Sequence, residues 1–266
     1  MNELLISLQN VTFGYNSEKP VIKNLSLQIP KGKITAIMGG SGSGKTTVLR
    51  LISGQIFANS GMISVFGEQL NDASKSQIQQ IRMQMGMLFQ FGALFTDMNV
   101  FDNVAFPLRE HTNLSANLIQ KMVAMKLEAV GLTGTQGLMP NELSGGMARR
   151  VALARAMAMD PELMLYDEPF TGLDPISLNT TAMLIKRLNN SLGQTSILVT
   201  HDIAATMEIA DFMYFMSNGE VIAAGTPEEI RTHGNPAVRQ FINGEINGPF
   251  AYKYPSQFDY QHYLGN

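Results

Sequence analysis

Hydrophobic positions along this chain follow two rhythms that change over along its length. In "LLISLQNVTF" (4–13) and "VIKNLSLQIP" (21–30) apolar residues partly alternate with polar ones. That is the two-residue period of half-buried strands, and the polar stretch Asn16–Pro20 reads as the turn joining them. "KITAIMG" (33–39) is a short continuous apolar strand that runs straight into glycines. "KTTVLRLISG" (45–54) then reads as a helix, with Gly54 placed to cap its end. "GMISVFGEQL" (61–70) reads as strand and turn, and "MGMLFQ" (85–90) as a strand ending at Gln90.

From about 100 to 158 the rhythm is helical. Leu118, Met122, Met125 and Ala129 share one face at helical spacing, the expected mark of a core stripe. Methionines also suit adaptable binding surfaces, so that second reading stays open. Beyond 160 strands and helices alternate again. "ELMLYDE" (162–168) and "TSILVTHD" (195–202) carry strands, separated by the helix "SLNTTAMLIKRLNNSLG" (177–193) with a glycine stop. "ATMEIA" (205–210) is a short helix, and "FMYFMSNGEVIAAG" (212–225) a hairpin turning at Asn218-Gly219. The order predicts an α/β fold with a mainly parallel sheet and an inserted helical subdomain.

Composition narrows the function. With 266 residues and 45% hydrophobic residues, a large core needs no staples. Cysteine is absent, which removes disulfides, thiolate metal sites and a cysteine nucleophile. The net charge of −3 offers no basic face for nucleic acid. Charged residues make up 15%, against about 25% in ordinary soluble domains, a hint of surface covered by partners. "MNELLISLQN" has neither the basic nor the long apolar part of a signal peptide, and no stretch approaches the roughly 20 apolar residues of a membrane span. The expectation is a cytoplasmic protein whose membrane role, if any, comes through another chain.

The chemistry starts at "GGSGSGKT" (39–46), which fits G-x-x-x-x-G-K-[ST] between a predicted strand and a predicted helix. Gly39, Gly40, Ser41, Gly42, Ser43 and Gly44 can fold back and aim backbone N–H groups at phosphate oxygens. Lys45 adds a point charge, Thr46 a hydroxyl for Mg²⁺, and Thr47 continues the helix start. "LMLYDE" ends an apolar strand with Asp167, suited to Mg²⁺ through water, and Glu168, able to reach an attacking water. His201 follows the strand "TSILVT" at the end where ligands of such sheets bind, and its imidazole can meet a γ-phosphate. His111, His233 and His262 read as structural. Tyr15 can stack on a base, and Gln90 can bring an amide to Mg²⁺ or water; each alone is weak. "ELSGGMARR" (142–150) is a second small-residue helix start fit for an anion, about a hundred residues from the first.

Together these pieces resemble an ATP-binding cassette (ABC) ATPase. Tyr15 matches the aromatic loop, "GGSGSGKTT" the phosphate loop, Gln90 the Q-loop and "LSGGM" the signature. "LMLYDE" matches the magnesium strand, "GLDP" (172–175) the D-loop and His201 the switch. They stand in the family's order over roughly 10 to 230. The resemblance implies a RecA-like parallel-sheet core, an antiparallel β subdomain and a helical subdomain over about 92–158, within an ATPase domain spanning 1–246. It implies ATP and Mg²⁺ as cofactors, Thr46, Gln90 and Asp167 as metal residues, and Glu168, His201 and Gln90 as catalytic ones. It also implies a head-to-tail homodimer, in which Ser144, Gly145 and Gly146 contact the γ-phosphate on the other chain and Asp174 communicates across the interface. One departure is Met147, where most cassettes have glutamine; the backbone N–H survives, the side-chain amide does not.

Within the family, "GALFTDMNVFDNVAFPLREHT" (92–112) and "LSGGMARR" resemble the ATPases that serve MCE-protein lipid transporters, the Mla (maintenance of lipid asymmetry) group of Gram-negative bacteria most of all. That resemblance implies membrane permease subunits, a small STAS-domain partner on the helical subdomain, a periplasmic lipid-binding MCE ring, and a place on the cytoplasmic face of the inner membrane. The cargo it implies is phospholipid moving between inner and outer membranes. An ATPase of another ABC importer or exporter is the alternative. Phe91, Leu94, Phe95, Phe101 and Phe106 form either the apolar surface for a permease or core, and the sequence leaves both open. The stretch 247–266 holds four of the seven tyrosines and is expected to dock on a partner cassette rather than to float free.

Overall fold

A computed structural model describes residues 3–16 and 19–249. In chain order it holds β1 (Leu4–Phe13), β2 (Ile22–Pro30), β3 (Ile34–Gly39), α1 (Lys45–Ile52), β4 (Ser60–Val65), β5 (Glu68–Gln69), α2 (Lys75–Met83) and β6 (Met85–Leu88). Next come α3 (Val100–His111), α4 (Ala116–Ala129), a 3-10 turn (Pro140–Glu142) and α5 (Gly145–Ala156). The chain returns to β7 (Leu163–Asp167), α6 (Pro175–Leu192), β8 (Thr195–Thr200), α7 (Ile203–Ile209), β9 (Phe212–Ser217), β10 (Glu220–Gly225), α8 (Pro227–Arg231) and α9 (Pro236–Asn243).

Six strands form one sheet in the order β10-β9-β3-β8-β7-β6, parallel throughout except for the β9–β10 hairpin. Four others form an antiparallel sheet, β2-β1-β4-β5. The central parallel strands read as unbroken apolar runs because both of their faces are covered. On β7, Leu163 and Leu165 join the core shared with the antiparallel sheet and α1, while Met164 and Tyr166 join the core built with the helices. On β8, Ile197 and Val199 face the first core and Leu198 the second. A one-residue slip would exchange these faces, so register is fixed by both cores at once.

Helices α3, α4 and α5 stand between β6 and β7 in sequence, the insertion that the helical rhythm predicts. The face chosen for α4 needs correction. Its buried stripe is Ile119, Val123 and Leu127; of the expected face, Met122 and Ala129 are partly buried and pack on the helical core, whereas Leu118 and Met125 are exposed, Met125 to 66%. The two stripes differ by one residue, about 100° of helix, and α4 turns the β-branched and leucine side inward. Gly54 ends α1 as expected, in left-handed conformation at φ +63 directly after the C-cap residue Ser53, whereas β6 ends at Leu88, two residues before Gln90. The hairpin turn at Asn218-Gly219 has φ +50 and +84, as its type I′ geometry requires.

Candidate nucleotide site

The first turn of α1 carries no side-chain cap. Its N-cap is Gly44, in left-handed conformation at φ +100, so the leading backbone N–H groups point out of the loop toward a ligand. A side chain at Gly44 would meet Ile22 Cδ1 at 2.6 Å, and one at Gly39 the Met216 carbonyl at 2.1 Å. The loop packs that tightly underneath, while positions 40 and 42 have nothing within 4 Å. Buried Ser43 keeps a hydroxyl with no protein partner. The loop is thus a cradle with donors to spare, which fits a polyphosphate. A cleft of about 630 Å³ opens over it, lined by residues 40–47, Gln90, Glu168, His201, Val21 and Phe241.

Lys45 is 8% exposed, and its ammonium donates to the carbonyls of Gly39 (2.8 Å) and Gly40 (3.1 Å). Burial lowers its pKa, opposed by the charges of Glu168 and Asp167. Thr46 Oγ1 donates to Asp167 Oδ1 at 3.1 Å across from the end of β7. Burial raises the Asp167 pKa, and the Thr46 hydrogen bond works against that rise. A hydroxyl and a carboxylate side by side are the hard oxygen donors Mg²⁺ prefers when phosphate and water complete its shell, so the residues present fit that ion.

Glu168 has φ +50, a strained value for a residue with a side chain. Its N–H donates to the Val199 carbonyl at 2.8 Å. Its carboxylate lies 2.8 Å from His201 Nδ1 and 3.9 Å from Lys45 Nζ. The parallel sheet thus brings together Lys45, at the start of the helix that follows the β3 loop, with Asp167 and Glu168 at the end of β7 and His201 after β8, as expected of an α/β ligand crevice.

Other expected residues lie elsewhere. Tyr15 is 63% exposed, packs edge-on against Phe13, accepts a hydrogen bond from Arg50 (3.2 Å) and does not line the cleft. Ser144, Gly145 and Gly146 open α5 outside the cleft lining, with Ser144 Oγ accepting from the Met147 N–H at 3.3 Å. Asp174 caps α6 through two backbone N–H groups at 3.0 Å, and its hydrogen bonds with Ser177 lower its pKa. His233 accepts from the Asn235 N–H, a structural role, and His262 lies outside the described residues.

Arg149 and Asn103 are among the buried polar residues that the sequence pattern does not single out. Arg149 on α5 donates to the carbonyls of Glu168 (3.2 Å) and Thr171 (2.7 Å). Asn103 on α3 is fully buried and holds the 95–99 loop through Phe95, Met98 and Asn99. The available signal was a polar residue on an apolar stripe: Arg149 with Ala152 and Leu153, Asn103 with Val100 and Val104. The 91–106 aromatics divide. Leu94 and Phe101 pack on the helical core, Phe91 is 83% exposed, and Phe95 touches Phe106 at 4.8 Å beneath the Arg155 guanidinium. Next to them runs a methionine-rich groove of about 360 Å³ that includes Met83, Met87, Phe106 and Met159.

A protein-family model described as ABC transporter matches residues 22–171. The chain is 54% identical over 257 residues to the intermembrane phospholipid transport system ATP-binding protein MlaF of Haemophilus influenzae, covering 97% of each chain. Among solved structures it resembles cbiO1 from Clostridium perfringens, part of the ABC transporter complex cbiONQ, with a TM-score of 0.82, 28% identity, and coverage of 92% of this chain and 95% of that one. It also resembles the ATP-binding cassette MJ0796, solved as a dimer in a post-hydrolysis state with ADP and Pi. There the TM-score is 0.76 and the identity 31%, over 84% of this chain and 98% of that one.

Proposed function

The chain belongs to the ABC transporter family of ATP-binding cassettes, and from that premise we propose that it is the ATP-hydrolysing subunit of an intermembrane phospholipid transport system. The observation that carries the cargo is the 54% identity with the Haemophilus protein of that printed name, which extends over nearly the whole of both chains. ATP hydrolysis follows from the family, and the cleft supplies its parts.

Loop N–H groups of 39–47 and the Lys45 ammonium hold the phosphates. Thr46 and Asp167 hold Mg²⁺, with Gln90 at its edge; when bound, the ion neutralises phosphate charge. Glu168 orients the attacking water, and His201, fixed through Nδ1 on Glu168, turns Nε2 toward the γ-phosphate. Tyr15 supports the base from outside the phosphate cleft. Ser144, Gly145 and Gly146 serve the ATP of a second copy, which agrees with their place outside this chain's own cleft, and Asp174 lies at that interface.

The ATPase domain is assigned to 1–246 and its helical subdomain to about 92–158. The extension 247–266 is assigned to docking on the partner cassette; all of it beyond Pro249 lies outside the described residues. Among the described residues no helix is long and apolar enough to cross a membrane. Membrane passage is assigned to permease subunits, whose contact is the methionine-rich groove with Phe91 and Phe95 at its side. A STAS-domain subunit on the helical subdomain and a periplasmic MCE subunit complete the system, with this chain at the cytoplasmic face of the inner membrane. Phospholipid passing between inner and outer membranes, with outer-membrane lipid asymmetry maintained, is the assigned outcome.

Affinity purification of the full chain from membranes, followed by mass spectrometry, tests this. Recovery of permease, STAS and MCE subunits is expected. Recovery of an amino-acid permease in their place overturns the cargo.

A further inference from the structure

Arg149 is 7% exposed and spends its guanidinium on the backbone of the turn that presents Glu168. Both of its partners there are main-chain carbonyls rather than carboxylates, those of Glu168 at 3.2 Å and Thr171 at 2.7 Å. A buried cation is costly unless well bonded, and a guanidinium is the side chain whose rigid fork can span two acceptors. The turn it spans is the one whose geometry needs support. Glu168 sits at φ +50, a conformation that persists only where surroundings over-determine it. Its N–H is tied to Val199 O on one side (2.8 Å), and its carbonyl takes the Arg149 bond and a longer one from the Thr171 N–H (3.3 Å). The strained peptide is thus bonded on both sides of the residue whose carboxylate faces Lys45 and His201.

We propose that Arg149 is a positioning residue for Glu168: it holds the catalytic turn in its left-handed conformation and thereby sets the carboxylate against the attacking water. The arginine sits in the second turn of α5, three residues after Gly146, so the same helix that opens with the signature also braces the catalytic turn. Arg149 touches neither nucleotide nor water in this scheme and acts only through Glu168. The inference rests on the reading of Glu168 as the water-orienting group.

The test compares purified full-length wild type with Arg149→Met, Arg149→Lys, Glu168→Gln and the Arg149→Met/Glu168→Gln double variant. Steady-state ATPase, ATP binding by fluorescent-nucleotide titration and melting temperature are read for each. Misplacement of a catalytic group by about 1 Å costs on the order of 100-fold, so kcat of Arg149→Met is expected to fall ~10- to 100-fold. Nucleotide affinity and binding stoichiometry are expected to stay within about threefold, because the phosphate loop is untouched. Arg149→Lys can satisfy one carbonyl well and should fall between. In the Glu168→Gln background, Arg149→Met should lower turnover no further, a non-additivity that a general loss of stability does not produce. If Arg149→Met does not fold, the Lys variant decides alone. Wild-type kcat per nucleotide-binding site in the folded variants, or a full additional loss in the double variant, overturns the inference. Wild-type turnover in Glu168→Gln would instead remove the reading on which it rests.

Discussion

Asn103→Leu removes a buried clamp while keeping the number and branching of side-chain heavy atoms, so lost hydrogen bonding is the main effect and the added methyl bulk acts in the same direction. Asn103 Oδ1 accepts the Phe95 N–H at 2.9 Å, and Nδ2 donates toward the carbonyls of Phe95 (3.0 Å), Met98 (2.9 Å) and Asn99 (3.1 Å). Two hydrogens serve three carbonyls, and two of those have other donors. Asn99 O also takes the helical N–H of Asn103 at 3.0 Å, and Phe95 O takes the Met98 N–H at 3.4 Å. Leucine therefore strands two groups outright, the Phe95 N–H and the Met98 carbonyl. At about 1–3 kcal/mol for each unsatisfied buried group the raw cost is about 2–6 kcal/mol. The loop borders solvent at Phe95, 37% exposed, and water can recover part of that, which favours the low end, about 2–3 kcal/mol. For a chain of this size each kcal/mol is worth about 2–4 °C, so Tm should fall by roughly 4–12 °C. Scanning fluorimetry gives the Tm, and hydrogen exchange at the Phe95 amide should speed up beyond the change seen at β3. Basal ATPase of the folded variant should stay near wild type, while on the proposed reading permease-stimulated activity falls, because the loop borders the permease groove. A Tm within about 1 °C of wild type with an equally protected Phe95 amide refutes the reasoning.

Three other outcomes are expected. Lys45→Ala removes the ammonium that crosses the phosphate cleft; nucleotide titration should show affinity weakened by at least tenfold and turnover should vanish, and ordinary ATP affinity would sink the assignment. Asp167→Asn keeps an acceptor for Thr46 but removes a carboxylate whose pKa burial holds above the usual 3.8. Because that raised pKa means the folded state binds the proton more tightly, the group's contribution is fully present below about pH 4 and is lost as pH rises through the raised value. The Asn variant should therefore melt higher than wild type at pH 7 in EDTA, lose that advantage near pH 4, and lack Mg²⁺-dependent turnover; a lower Tm at pH 7 contradicts this sign. Ser144→Arg in one chain of a mixed dimer should impair ATP closure at the other chain's phosphate loop, measured by attaching a fluorescent nucleotide reporter to one chain only. Impairment confined to the altered chain's own loop would rule out service in trans.

Legibility in the sequence followed the reach of each interaction. The strands β3, β7 and β8 were readable because burial on two faces makes an uninterrupted apolar run, and the phosphate loop because its glycines answer local backbone demands. Gln90, Glu168 and His201 could be placed at strand ends, and the sheet brings all three to one cleft. The face of α4 could not be read, since Leu118 and Ile119 are both apolar and only the packing of α3 and α5 selects between adjacent stripes. Arg149 and Asn103 escaped for the opposite reason. Their partners lie on other segments, at Glu168 and Thr171 or on the loop before α3, and a polar residue on an apolar stripe announces burial without naming what it bonds.

The cleft of a single chain compensates its own charge, and this bears on why a second anion-ready helix start exists. Lys45 rests on two loop carbonyls and near Glu168, and Glu168 also engages His201, so a phosphate entering from the loop side must compete for these groups. His201 with Nδ1–H on Glu168 offers Nε2 as a donor to phosphate only if the ring carries both protons or exchanges its bond. On the proposed reading a second copy supplies further donors to the γ-phosphate, and none of this chain's own signature residues lines the cleft. Ser144 can serve a phosphate without giving up its cap, because its oxygen accepts from the Met147 N–H while its own hydrogen remains free. Gly145 and Gly146 then present the remaining helix-start N–H groups. Met147 contributes differently: its N–H is spent on the cap, and its side chain packs against the helical core. Met147 is thus an anchor that fixes the first turn of α5, the turn that leads on to Arg149.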